Sequence, residues 1–319
     1  MRVLVTGGEG FVGSHVVDRL QASGHEPWIY DRVAPAGGPT SDVQRIVGDV
    51  RDERALLRAA RGCDAIIHLA AVADVNVAVL NPEETRQTNV AGTRAVVRAA
   101  AKIGIGTVLY ASTVWVYGDV NGGAVDENSP LPEPREVYTA TKLEGERVCA
   151  EEGATFGLAP VVLRLGIPYG PRARPAGVVA RFVAAALGGQ PLSIAGDGRQ
   201  ARPFVYVSDV ARGIVAALSS QATGRTYNLC PDNVSFSIGE LADVICSTVA
   251  RVPIVYTEAR SSDLRGGPIS AARAALELGW SADTSLSDGV RRYVDWVTET
   301  AGSPVAVQAE SIDGNAATV

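Results

Sequence analysis

Along the first half of the chain, short apolar runs alternate with stretches whose apolar residues recur every three or four positions. The runs Val3–Val5, Pro27–Tyr30, Gln44–Val47, Ala65–Leu69, Thr107–Ala111 and Pro160–Leu165 read as strands. Most are apolar throughout, as strands buried on both faces must be. Between them, Phe11–Ser23, Glu53–Ala60, Pro82–Ile103 and Tyr138–Glu152 carry the helical period, and Gly24 and Gly104 stop the first and third of these. Strands alternating with helices predict an α/β fold, a Rossmann-like doubly wound parallel sheet.

After Leu165 the texture changes. Residues 166–177 are rich in Gly, Pro and Arg and read as loop. Val178–Leu187 reads as a helix, Leu192–Ala195 and Phe204–Val207 as strands, Asp209–Leu218 as a helix and Thr226–Leu229 as a strand. Helical stretches follow at Ile238–Ala250, Ala271–Leu278 and Ser287–Thr298. This pattern predicts two domains: a dinucleotide-binding one from 1–165 plus 203–230, and a smaller substrate-binding one from 166–202 plus 231–300. The aperiodic residues 301–319 are expected to form a mobile tail.

Composition narrows the function. The chain has 319 residues, 46% hydrophobic and 20% charged, with net charge −6. That is the balance of an ordinary globular protein, and its sign argues against a nucleic-acid partner. Four scattered cysteines form no C-x-x-C pair, which points away from disulfides and zinc and towards a reducing cytoplasm. Three scattered histidines make a catalytic metal unexpected. No leader or membrane-spanning run is expected, because the first strand leads straight into a glycine motif.

That motif, Thr6-Gly7-Gly8-Glu9-Gly10-Phe11-Val12-Gly13, joins the first strand to the first helix. Gly7, Gly10 and Gly13 permit a tight turn and close backbone approach, and the helix N-terminus offers N–H groups to a pyrophosphate. Asp31, at the end of the second strand, is placed to accept from ribose hydroxyls and to favour NAD over NADP, while Arg32 beside it would tolerate an extra phosphate. Tyr138 and Lys142, four residues apart on one helix, form a candidate acid/base couple in which the ammonium lowers the phenol's pKa. Ser112 or Thr113, at the end of the fifth strand, would add a hydroxyl.

Together these features resemble the extended short-chain dehydrogenase/reductase family, in its nucleotide-sugar epimerase/dehydratase branch. The resemblance runs from Met1 to about Trp296 through TGGEGFVG, GDVRD (48–52), HLAA (68–71), NVAGT (89–93), STVWVYG (112–118), YTATK (138–142), GDGRQARPFVYVSDVA (196–211) and LGW (278–280). It implies NAD as cofactor and Thr113, Tyr138 and Lys142 as the catalytic set. Phe11 and Val12 would lie along the pyrophosphate, Asp49 and Val50 at the adenine, and Leu69, Ala70, Ala71 and Thr88 along the dinucleotide. Arg202 would grip the diphosphate of a nucleotide-diphosphate sugar, and Arg260 and Asp263 its nucleotide portion. A homodimer is implied as well.

Two departures bear on the reaction. Dehydratases of this branch follow the catalytic Thr with Asp-Glu, and decarboxylases keep a Glu, where this chain has Val114 and Trp115. Trp115 is expected to shape the pocket. Ile167 stands where the family often has Asn, and it cannot bind substrate through a side-chain hydrogen bond. The leading expectation is therefore an NAD-dependent C4 epimerase working through a transient 4-keto sugar. The alternatives are a keto-sugar reductase or dehydrogenase with the same residues, and a non-catalytic dinucleotide sensor.

Overall fold

In the computed structural model, residues 1–33, 43–120, 123–259 and 265–301 are described. The apolar runs become strands β1 (Arg2–Thr6), β2 (Glu26–Asp31), β3 (Gln44–Val47), β4 (Ala65–His68), β5 (Thr107–Thr113) and β6 (Val161–Leu165). Every residue of β4 and β6 is buried, whereas β3 is exposed at both ends, as befits an edge strand. The intervening helices are α1 (Phe11–Ala22), α2 (Glu53–Ala59), α3 (Val75–Leu80), α4 (Pro82–Arg86), α5 (Gly92–Ile103) and α6 (Val137–Phe156). Beyond β6 follow β7 (Ile167–Tyr169), α7 (Val178–Leu187), β8 (Leu192–Ala195), β9 (Ala201–Arg202), β10 (Phe204–Tyr206), α8 (Val207–Ala216), β11 (Thr226–Leu229), β12 (Phe236–Ser237), α9 (Ile238–Thr248), β13 (Ile254–Thr257), α10 (Ala272–Leu278) and α11 (Leu286–Ala301).

Seven strands form one parallel sheet in the order β11-β6-β5-β4-β1-β2-β3. The expected doubly wound α/β sheet is therefore present. On one face α1 packs on α8 through Val16, Val17 and Leu20 against Val210 and Ile214. On the other face lie α2 and α5, with Leu56, Val96 and Ala99 against Leu4 and Ile66. Helix α6 runs beside α5, and Val97 and Cys149 pack there with Tyr110 and Val162. The chain order reverses between β1 and β4, so a crevice opens beyond the C-terminal ends of these two strands. A second apolar core gathers α7, α9 and α11 through Phe182, Leu241, Ile245 and Val290.

Several elements differ from the sequence pattern. The helix expected over 82–103 is interrupted by a π-helical turn at Gln87–Ala91. Its hydrogen-bond shift accommodates Asn89, whose side chain is drawn out of the helix to Val72 N–H and Val72 carbonyl oxygen. Residues 166–177, read as loop, contain β7, which pairs in parallel with β10. A proline at its centre is tolerated because this short strand lies outside the main ladder. Phe204–Tyr206 accordingly pairs with β7 and not with the central sheet, and Val207 already begins α8. Residues 301–319, apart from the last helical residue, lie outside the described residues, as do Arg260 and Asp263.

Candidate active site

The glycine loop closes on itself. Gly7 has a φ of +75°, and a Cβ there would stand 2.7 Å from Ala70 N, so the loop touches the chain leaving β4. A Cβ on Gly13 would lie 2.0 Å from the Gly7 carbonyl oxygen. Gly10 caps α1 without a side chain, which leaves the first N–H groups of a twelve-residue helix open to an anion. Asp31 reaches the same loop, since the N–H of Glu9 donates to its Oδ2 at 3.1 Å. Arg32 lies 3.7 Å from Glu84 at the outer rim.

A cavity of about 930 Å³ extends from this loop, lined by Gly7, Gly10, Phe11, Val12, Gly13, Leu69, Ala71, Thr113, Trp115, Tyr138, Lys142 and Arg202 among others. The structure thus brings most of the expected cofactor, catalytic and substrate residues onto one surface. Among the described residues, Asp31, Arg32, Asp49, Val50, Ala70 and Thr88 stand outside its wall. Asp49 accepts four hydrogen bonds from Arg51, three from its guanidinium, including Nη2 at 2.6 Å, and one from its backbone N–H, and these hold its carboxyl below the usual range. Val50 is buried against Gly92. Thr88 is buried in the π turn, and its hydroxyl has no hydrogen-bond partner.

Strand β5 and helix α6 position the chemical groups. Thr113 ends β5, and its Oγ1 accepts from Trp115 N–H at 3.2 Å and lies near enough to the Tyr138 phenol to favour its ionised form. Ser112, one residue earlier, points to the other side of the sheet, as strand alternation requires, and donates to Glu146 Oε1 at 2.5 Å. Of the two candidate hydroxyls, only Thr113 adjoins Tyr138.

Burial pushes the Tyr138 phenol up to about 12, and the cation that opposes this is Arg174. The expected lowering by Lys142 is absent. The Lys142 ammonium donates to the Ala111 carbonyl at 2.7 Å and lies 5.0 Å from the centre of the Tyr110 ring. Burial brings its pKa down to about 8. Helical spacing put the two side chains on one face, but not their charged ends in contact.

Below the site, a buried polar network sets these elements in place. Arg164 on β6 donates to both carboxylate oxygens of Glu146, at 3.0 and 2.8 Å, and to the Tyr117 hydroxyl at 2.9 Å. His68 joins three elements: Thr6 Oγ1 donates to its Nδ1 at 2.7 Å, and its Nε2 donates to Thr93 Oγ1 at 3.0 Å. The tautomer follows because Thr93 spends its own proton on the Asn89 carbonyl, at 2.6 Å.

Sequence reasoning missed the segment after β7. Arg172, Arg174 and Arg181 line the cavity. Arg172, at φ +65°, donates to Asp18 Oδ2 at 2.6 Å and to His15 Nδ1 at 2.9 Å, while His15 Nε2 donates to the Pro171 carbonyl at 2.9 Å. This ties the segment to α1. Three arginines within ten residues just beyond a strand end were the available signal.

The site has the parts a dinucleotide needs: an uncapped helix start, a loop without room for Cβ atoms, a carboxylate at the end of β2 and an unpartnered buried hydroxyl at Thr88. Residues 3–230 match the model of the NAD dependent epimerase/dehydratase family. The chain belongs to that family. Among curated relatives, a dTDP-glucose 4,6-dehydratase of Streptomyces griseus is 30% identical over 308 residues, covering 92% of this chain and 93% of the relative. Among solved structures, the UDP-glucose 4-epimerase of Thermus thermophilus in complex with NAD is 32% identical, with a TM-score of 0.85 over 93% of this chain and 99% of that one. The UDP-glucose 4-epimerase of Thermotoga maritima with UDP-glucose gives 28% and 0.87, over 94% and 100%. NAD is the cofactor of this family, and the extended short-chain dehydrogenase/reductase resemblance is borne out. Both epimerases and dehydratases are among its relatives. Among the described residues, no helix is long and apolar enough to cross a membrane, and no group of His, Cys, Asp or Glu is arranged to hold a metal.

Proposed function

We propose that the protein is an NAD-dependent epimerase of a nucleotide-diphosphate sugar, acting at C4 through a transient 4-keto sugar. The observation that carries this reading is the company Thr113 and Tyr138 keep. The two residues after Thr113 are the buried Val114 and the cavity-lining Trp115. Neither can take a proton from C5 or deliver one to a leaving hydroxyl, which is the work a dehydratase adds to C4 oxidation. What is left is reversible oxidation of one carbinol.

Bound NAD supplies the acceptor for the carbon-bound hydride and the donor that returns it. The glycine loop and Asp31 would hold it, and Lys142, with two ammonium protons left beyond its bond to Ala111, would bind its nicotinamide ribose. Tyr138 takes the C4 hydroxyl proton and gives it back, and Thr113 holds the hydroxyl pair in line. A phenol near 12 stays protonated at neutral pH, so a cation at its side is needed to free the phenolate for the forward step. Arg202, whose guanidinium lies 5.7 Å from the centre of the Trp115 ring, and Arg181 suit the diphosphate. Trp115, Ile167 and Pro168 give the sugar ring apolar walls with few directional bonds, which favours its turning to present the other face. Helices α5 and α6, side by side, are the surface we propose for a homodimer, and the cytoplasm is the compartment we propose.

The test is to incubate the purified protein, with no added cofactor, with a panel of UDP- and dTDP-sugars and follow C4 inversion by proton NMR. Interconversion with no net change at the nicotinamide absorbance band is expected. Consumption of external NAD(P)H would assign a reductase instead, and no turnover of any sugar would refute the proposal.

A further inference from the structure

The end of β2 carries a polar cluster that lies apart from the sugar chemistry. Asp31, the carboxylate expected at the adenosine ribose, has both oxygens anchored. Its Oδ1 accepts from Val33 N–H at 3.2 Å and its Oδ2 from Glu9 N–H at 3.1 Å. Each oxygen keeps a lone pair for a ribose hydroxyl. Glu9 belongs to the glycine loop and lines the cavity. From beside Asp31 its side chain runs to β3, where Oε1 accepts from Arg45 Nε at 2.8 Å. Strand register explains the meeting. Ile29 on β2 pairs with Arg45 on β3, and a Cβ on Gly8 would stand 2.9 Å from Ile29 Cγ2. Residues paired across parallel strands point to the same face, so Arg45 rises from the face that the glycine loop covers. Arg45 Nη1 also donates to the Val43 carbonyl at 3.1 Å. The Glu9 and Arg45 side chains are only 21% and 17% exposed, which sets the pair apart from ion pairs screened by solvent.

Arg32, the cation expected to tolerate an extra phosphate, is directed elsewhere. It is 55% exposed and lies 3.7 Å from Glu84, which Arg51 Nη1 also reaches at 3.0 Å. The guanidinium of Arg45, by contrast, is joined to the Asp31 carboxylate through a single residue, Glu9. A guanidinium beside the ribose carboxylate is what a 2′-phosphate would take, through its charge and its planar fork. The Glu9 carboxylate already holds that fork and compensates its charge. We infer that Glu9 is a specificity-determining residue for the cofactor: by occupying Arg45 it denies a 2′-phosphate its cation. NADP is then opposed at two points, by repulsion at Asp31 and by competition at Glu9. This inference concerns the choice of dinucleotide and does not rest on the C4 reading.

The experiment equilibrates the full chain, freed of its cofactor, with a mixture of NAD and NADP, and reads the bound ratio by mass spectrometry of the released nucleotides. The wild type should favour NAD by at least about a hundredfold. Glu9→Gln preserves the size of the side chain and the backbone bond to Asp31, and it should shift the ratio towards NADP by at least about tenfold. Glu9→Ala should shift it in the same direction, which serves if the glutamine variant folds poorly. In the double variant Glu9→Gln/Arg45→Met the shift should vanish, to within about threefold of the wild-type ratio. An unchanged ratio in the Glu9 variants would overturn the inference. A shift that survives the loss of Arg45 would overturn it too, because Glu9 would then act by its own charge and not by holding the arginine. Equal binding of the two dinucleotides by the wild type would remove the discrimination altogether. No sugar enters this assay, so failure of the epimerase reading would leave its outcomes unaffected.

Discussion

Replacing Lys142 by Met should change how stability responds to pH in a way the structure fixes in sign and size. Lys142 is 4% exposed, and burial lowers the pKa of its ammonium from 10.5 to about 8. Between these values the unfolded chain binds a proton that the folded chain does not. Stability therefore rises with pH through this window, and below pH 8 the folded protein bears the full cost of the buried charge. At about 1.4 kcal/mol per pKa unit, that cost is about 3 kcal/mol. Raising the pH from 7 to 9.5 relieves about 2 kcal/mol of it by the same linkage. Met fills the same space without titrating, and it leaves the Ala111 carbonyl without its donor, a penalty of about 1–3 kcal/mol that does not depend on pH. Urea unfolding of the cofactor-stripped wild type and Lys142→Met at a series of pH values separates the two effects. The wild type should gain about 2 kcal/mol relative to the variant over this range. Titrating cysteines and tyrosines contribute to both proteins and largely cancel in the difference. Parallel curves would show that the lysine is not held at a depressed pKa, and the account of how α6 presents it would be wrong.

Other outcomes follow from the same geometry. Tyr138→Phe should lower turnover by about a thousandfold while the protein still co-purifies with NAD, as read by mass spectrometry of released small molecules. Intact activity would favour a dinucleotide sensor. Gly13→Ala should give a protein without cofactor or one that fails to fold, because the new methyl would lie 2.0 Å from the Gly7 carbonyl oxygen. Circular dichroism separates these cases, and normal NAD content would contradict the close packing. Glu146→Ala strips the buried Arg164 guanidinium of its bidentate partner and should cost about 3–5 kcal/mol in denaturant unfolding.

Much of this was legible in the residues. The strands of the central sheet announced themselves because burial on both faces demands uninterrupted apolar runs, and Ala65–His68 and Val161–Leu165 show this plainly. The glycine loop was legible because tight turning and close packing leave few residue choices. What escaped was short or depended on partners distant in sequence. Ile167–Tyr169 is three residues with a proline in the middle, and it is a strand only because Phe204–Tyr206 lies beside it. Ile254–Thr257 pairs with Leu192–Ala195 in the same way. The short helix Val75–Leu80 had its Asp74 cap in plain view but too few residues to show a period. In the site, helical spacing correctly put Tyr138 and Lys142 on one face. The destination of the ammonium was set by the Ala111 carbonyl on a different element. The place of Arg174 depended likewise on a turn and on Asp74, both invisible to a linear pattern.

The histidine linking Thr6 to Thr93 has a consequence for how pH profiles should be interpreted. Burial holds its ring neutral down to about pH 3, so the joint it makes between β1, β4 and α5 keeps a single polarity across the whole working range. A hydroxyl gives, a ring passes the direction on, and a backbone oxygen receives. Acid or alkali in the ordinary laboratory span leaves that joint unaltered, so it adds no inflection of its own to a rate profile.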